Sequence, residues 1–267
     1  MKPPTTHAYV SLDSTTFAPV DYNRTYYSEV MEDEAALIRW QATTLDKRIK
    51  AHLHSTSQRH FTSLREAGSG PAVHHLFALE KYVDTIHLSD FLPANLEEIR
   101  RWLDHEEHTH DWRPFVAAIL DAEGIEVGDG DIETRQESVR AKIQSLSRID
   151  LKRGTGIGPG YSAPFVSSFF VADSATASHN EFGVMTANAF SLVDPGGLFV
   201  AAYLGGCEAY RVGERWLVSA QLSETDIESA LVACGATDLE ITRFDTPEMA
   251  EEGFDHLFTA VAAAPAR

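Results

Sequence analysis

The glycine-rich turn Glu66-Ala67-Gly68-Ser69-Gly70-Pro71 is the first stretch whose residue types could do chemistry. Paired glycines turn the backbone tightly and bare its N–H groups to a ligand. Asp90 follows twenty residues past Gly70. An acid at that distance can accept hydrogen bonds from both hydroxyls of a ribose. Asp150 and Asp173 stand after two further strand-like runs. Singly, each is a turn or helix-cap residue. Together they put polar sites at four successive strand ends. The dinucleotide fingerprint asks for a third glycine, and Val73 stands there instead, which disfavours close approach of a pyrophosphate. A nucleoside cofactor without phosphates, such as S-adenosylmethionine, needs only ribose and adenine contacts and room for its amino-acid tail.

The elements that must position these residues follow from the apolar pattern. Residues 1–27, rich in Pro, Thr, Ser and Tyr, read as irregular. Ser28–His54 carries apolar residues at helical spacing. Strand-like runs stand at 63–67, 84–91, before Asp150, at 164–172, 198–204, 239–245 and 256–264. Helix-like stretches lie between them: 71–79, 93–107 opening on Pro93, the second half of 125–148, the run up to Leu192, and 223–235. Ser223 with Asp226 resembles a capping box, and Gly235 is the stop. Alternating strands and helices predict an α/β fold: a mostly parallel sheet covered on both faces, with ligands beyond the carboxyl ends of the strands.

Composition narrows the function classes. The 267 residues are 43% hydrophobic and 23% charged, enough for one sizeable core. Forty acidic against 22 basic side chains give a net charge of −18, which argues against nucleic-acid and anionic-membrane partners. Two cysteines, Cys207 and Cys234, cannot build a disulfide framework or a four-cysteine zinc site. With no secretory signal and no span-length apolar run, the expectation is a cytoplasmic protein. His105–His110 holds ligand residue types but not the HExxH spacing, so no metal site is read there. Gly154–Gly160 lacks the Lys-Ser/Thr of a phosphate loop and reads as a connection near the site.

In order and spacing, a set of short motifs resembles one family from Phe17 to Ala262. Phe17, Pro19, Tyr22, Tyr26 and Tyr27 form an FxPxxYxxxYY pattern. Gly68–Pro71 is a GSGP loop, and Asp90-Phe91, Asn95 and Trp102-Leu103 follow it. Then come Asp111-Trp112-Arg113-Pro114, Pro195-Gly196-Gly197 and Tyr210-Arg211-Val212-Gly213-Glu214. The chain is thereby similar to the nicotinamide, phenylethanolamine and indolethylamine (thioether) N-methyltransferases.

The resemblance implies a Rossmann-like class I methyltransferase with a seven-stranded sheet. It implies a single domain, 1–267, with an N-terminal cap (1–55) on a core (60–267). It implies S-adenosylmethionine as methyl donor, S-adenosylhomocysteine as product, and a small-molecule methyl acceptor. It implies a monomer or weak homodimer. Tyr22, Tyr27, Gly68, Ser69, Gly70, His74, Asp90, Phe91, Asn95, Asp150, Leu151 and Ser168 or Phe169 would meet the cofactor. Asp173, Tyr203, Cys207, Tyr210, Ser219 and Glu252 would meet the acceptor; Asp173 or Glu252 could take its proton; Asp173, Tyr22 and Tyr203 would be the catalytic group. Two departures stand out. His74 replaces a tyrosine, and Tyr203 replaces a carboxylate that the nicotinamide and phenylethanolamine enzymes carry.

The expected reaction is N-methylation of an amine or heteroaromatic nitrogen by in-line displacement, driven by proximity and exclusion of water. O-, S- or C-methylation, a nicotinamide-dependent oxidoreductase and a degenerate ligand-binding homologue are the alternatives.

Overall fold

The computed structural model describes Tyr9 and residues 17–158 and 160–266. The rest of the expected irregular N-terminal stretch and Pro159 lie outside the described residues. The chain enters through α1 (Pro19–Tyr27), α2 (Glu32–Trp40), a short π-helical turn and α3 (Asp46–Ser55). β1 (Phe61–Ala67), α4 (Leu76–Leu79), β2 (Val83–Asp90), α5 (Pro93–Leu103), α6 (Arg113–Ala122), α7 (Asp129–Lys142) and β3 (Ile143–Arg148) follow. Then come β4 (Ala163–Phe169), α8 (His179–Phe190), β5 (Val193–Gly205), β6 (Ala209–Val212) and β7 (Arg215–Val218). α9 (Glu224–Ala233), β8 (Thr237–Asp245) and β9 (His256–Ala263) complete the order.

Seven strands form one sheet in the order β3-β2-β1-β4-β5-β9-β8. β9 runs antiparallel to both of its neighbours, and the other pairs are parallel. The sheet is thus mostly parallel, as expected. β1 pairs with β2 on one side and β4 on the other, so the strand order reverses between β1 and β4. A crevice opens at such a reversal, beyond the carboxyl ends of the strands. Alternate residues of β5 feed two separate cores. Leu198, Val200, Ala202 and Leu204 join one, and Phe199, Ala201 and Tyr203 the other.

Several local expectations need correction. Pro19–Tyr27 is helical, because Pro19 pre-sets the first turn and Tyr26 and Tyr27 are buried on the core. Ser28–His54 is two helices joined by a π turn rather than one. The helix between Ile125 and Arg148 starts earlier, at Asp129, and ends at Lys142; the last six residues of that segment are strand β3, paired with β2. Pairing with a buried neighbour overrides a weakly apolar local pattern there. α5 stops at Leu103, and His105 takes a positive φ of 53°. The β6–β7 hairpin is a further element that the sequence pattern did not announce. α9 does carry the reciprocal Ser223–Asp226 cap, and Gly235 follows it at φ 82°.

Phe165 is fully buried at the centre of β4, its ring 4.9 Å from that of Phe61. Phe165→Ala should destabilise the fold by about 3–5 kcal/mol, read by urea titration.

Candidate active site

The turn after β1 lies at the strand-order reversal. Gly68 and Gly70 take positive φ, 86° and 59°, which glycine adopts without penalty. A Cβ on Gly68 would stand 2.4 Å from Val171 Cγ1, so the loop is shut to side chains on that flank. At Gly70 a Cβ would meet open space. Backbone N–H groups of Gly68 and Ser69 donate to the Ser89 carbonyl at 2.7 and 2.9 Å, clasping the turn to the end of β2.

Asp90 closes that clasp. Its Oδ2 accepts from the Gly70 N–H at 2.9 Å. Its Oδ1 accepts from the Leu92 N–H at 2.8 Å and from Asn95 Nδ2 at 3.0 Å. Burial pushes the Asp90 carboxyl up, and the three donors pull against it. Asn95 Oδ1 is buried with no partner.

A cavity of about 670 Å³ spans these residues. Gly68, Ser69 and Gly70 form one wall, with Asp90, Phe91 and Asn95 beside them. Asp150 and Leu151 border it after β3, where Asp150 Oδ1 accepts from the Lys152 and Arg153 N–H groups at 3.0 and 3.1 Å. Phe169 borders it after β4. Tyr22, Tyr27 and Tyr210 line it from α1 and β6. The Tyr22 and Tyr27 hydroxyls lie 3.3 Å apart. The Tyr210 hydroxyl donates to the Ser174 carbonyl at 3.1 Å. Burial raises all three phenols, so they stay neutral near pH 7.

Other expected site residues lie outside this wall. His74 is buried beneath Tyr27, 4.3 Å ring to ring, and stacks on Trp112, while its neighbour His75 lines the cavity. Ser168 turns inward and donates to the Ala67 carbonyl at 2.9 Å. Tyr203 points to the opposite face of β5, packed edge-on against Phe182 at 5.6 Å. The period-two alternation of a strand puts it there and puts Leu204 on the site's side. Cys207 is fully buried, and burial pushes its thiol up to about 12, so it is no nucleophile near pH 7. Ser219 donates to the Asp173 carbonyl at 3.2 Å. Glu252 is held by Arg211 in two contacts of 2.6 and 2.9 Å.

Asp173 sits one residue behind the wall. Its Oδ2 accepts from the Leu204 N–H at 2.9 Å and from the Ser174 hydroxyl at 3.0 Å. Its Oδ1 has no partner, and burial pushes the carboxyl up to about 6. Ser174 itself lines the cavity.

The fold also gathers residues outside the expected cofactor and acceptor sets. His75 Nε2 lies 3.0 Å from Glu66 Oε1, and the Ser167 hydroxyl donates to Glu66 Oε2, a buried polar set under the glycine turn. Asp33 and Glu34 are buried close to the tyrosines. In the sequence they read as acids of a helix first turn, and no local signal marks them otherwise.

Comparison with known proteins follows the same lines. The pattern that defines the NNMT/PNMT/TEMT family matches residues 8–262. The chain belongs to that family. It is 27% identical over 223 residues to indolethylamine N-methyltransferase of Oryctolagus cuniculus, covering 82% of each chain. It is 27% identical to nicotinamide N-methyltransferase of Homo sapiens, covering 65% of this chain and 66% of that one. A solved SAM-dependent methyltransferase from Methanosarcina mazei superposes with a TM-score of 0.52 at 11% identity, over 80% of this chain and 97% of that one, which shows the fold. This family member is a class I, S-adenosylmethionine-dependent methyltransferase. Its site residues fit that donor. Asn95 Oδ1 is an orphaned acceptor, Gly70 leaves open space for a ligand, and Asp90 stands between them.

Asp90→Asn should weaken S-adenosylhomocysteine binding by about 1–3 kcal/mol in calorimetry, since it removes charge and leaves donors unpaired. Tyr203→Phe should leave both cofactor affinity and acceptor kinetics near wild type, because its ring packs away from the cavity.

Proposed function

We propose that this chain transfers a methyl group from S-adenosylmethionine to a nitrogen of a small molecule, as a single domain in the cytoplasm, monomeric or weakly dimeric. The observation that carries the reading is the Asp90–Gly70–Asn95 cluster at the strand reversal, opening on a cavity walled by tyrosines from α1. The relatives' named N-methyltransferase activities support nitrogen as the target. Among the described residues, no helix is long and apolar enough to cross a membrane.

When bound, S-adenosylmethionine supplies an electrophilic methyl carbon on a sulfonium. In our assignment, Asp90 and Asn95 hold the ribose hydroxyls. Gly68 to Gly70 lie along the amino-acid portion, and Phe91, Asp150 and Leu151 flank the adenine. Tyr22 and Tyr27 exclude water and fix the approach of the acceptor, which is where most of the acceleration arises. A proton leaving the acceptor has a route through the Ser174 hydroxyl to Asp173, whose raised pKa suits it to receive one near neutrality. Tyr203, Cys207, Ser219 and Glu252 have no part in this assignment.

Titration should show binding of S-adenosylmethionine and S-adenosylhomocysteine and none of NAD. A labelled-methyl screen over amines, heteroaromatic nitrogens, thiols and alcohols should put label on nitrogen. Label on sulfur or oxygen alone would overturn the nitrogen assignment, and tight adenosyl binding without transfer would make the chain a ligand-binding homologue.

A further inference from the structure

Behind the tyrosines lies a second cavity, of about 30 Å³. Its walls include Tyr26, Asp33, Glu34 and Phe254. Tyr22, Tyr27, Phe170, Ser174 and Tyr210 line both cavities, so the small one is an annex of the large one. A cavity holds one water once it offers about 10–15 Å³ of such space, so the annex has room for one ammonium-sized group.

Asp33 and Glu34 are only 7% and 4% exposed. Asp33 Oδ1 and Glu34 Oε2 have no hydrogen-bond partner. Among the described residues, neither pairs with a lysine or arginine. Glu34 Oε2 approaches His74 Nε2 at 3.3 Å, but burial holds that imidazole well below the usual histidine range, so it brings no charge. His75 is committed to Glu66, and Glu248 adds further negative field at Asp33. The phenols of Tyr22, Tyr27 and Tyr210 stay neutral. Two buried carboxylates with no cation paired to either, and only the indirect pull of His75 on Glu34, are strongly disfavoured. A cation would complete them, and the surrounding tyrosine rings would add cation–π attraction.

We propose that Asp33 and Glu34 form a subsite for an alkylammonium group of the methyl acceptor, distinct from the atom that takes the methyl. The subsite rests on the methyltransferase reading above. An ammonium held by carboxylates keeps its proton, and without a lone pair it cannot attack the methyl carbon. The nucleophilic nitrogen is therefore a second one, on the main-cavity side of Tyr22 and Tyr210. The acceptor class is a small molecule with an alkylammonium a few bonds from its reacting nitrogen.

The test uses the chain with S-adenosylhomocysteine bound and two probes of one shape, n-butylamine and n-butanol. Butylammonium should bind roughly tenfold or more tighter than butanol by calorimetry. Asp33→Asn and Glu34→Gln should erase that preference while S-adenosylhomocysteine affinity holds. The fold gives an independent readout. Burial, then Glu34, raises Asp33 to about 7, and burial raises Glu34 to about 7 against the pull of His75. Unfolded carboxyls titrate near 4, so stability present below that value is lost as pH rises through about 7. Ligand-free variants should thus melt above wild type at about pH 8 and level with it at about pH 4. Equal binding of the two probes, or undiminished butylamine binding in both variants, would overturn the subsite. With S-adenosylmethionine in place of the product, methyl transfer onto butylamine's own nitrogen would put the reacting atom in the annex and overturn the separation. Failure to bind S-adenosylhomocysteine would instead overturn the methyltransferase reading, whatever the probes do.

Discussion

One carboxylate ties the site together. Asp90 ends β2, yet its two oxygens hold the turn after β1 through Gly70 and the start of α5 through Leu92 and Asn95. Three elements thus converge on one buried charge, and the charge tolerates burial because three donors surround it. Everything downstream inherits that geometry. The glycine turn is clasped to Ser89, the cavity opens beside it, and Asn95 lines that cavity with a buried acceptor left unpartnered.

The other half of the site comes from the N-terminal helices, and an aromatic wedge fixes them to the core. Tyr27 packs on His74, Trp112 and Phe115, and His110 reaches the Tyr27 carbonyl at 2.7 Å. Such rings bury large apolar areas with preferred mutual angles, so they hold a helix at a defined tilt. The Asp-Trp-x-Pro motif therefore acts at a distance. It touches no ligand space itself but seats the tyrosine that does.

What could be read from the residues alone divides along physical lines. Features local in sequence were legible: the glycine turn, Asp90 at its spacing, the capped α9 and the buried strands β4 and β5. Each is set by backbone conformation, local hydrogen bonding or an apolar run. Features that depend on which way a side chain faces were not. His74 and His75 are adjacent, yet only His75 reaches the cavity, because the α4 approach turns one ring inward under Tyr27. Asp33 and Glu34 look like ordinary first-turn acids until the tertiary fold covers them. The β3 boundary was lost for a similar reason, since pairing with β2 decides it and the local pattern does not.

The alternation along β5 sets a rule for anyone who would re-engineer acceptor choice. The position to redesign is Leu204, which lines the annex, and not Tyr203, which belongs to the packing beneath α8. A carboxylate grafted at 203 would be entombed among apolar side chains. An insertion or deletion of one residue within the strand would exchange the two faces and rewire the pocket at a stroke.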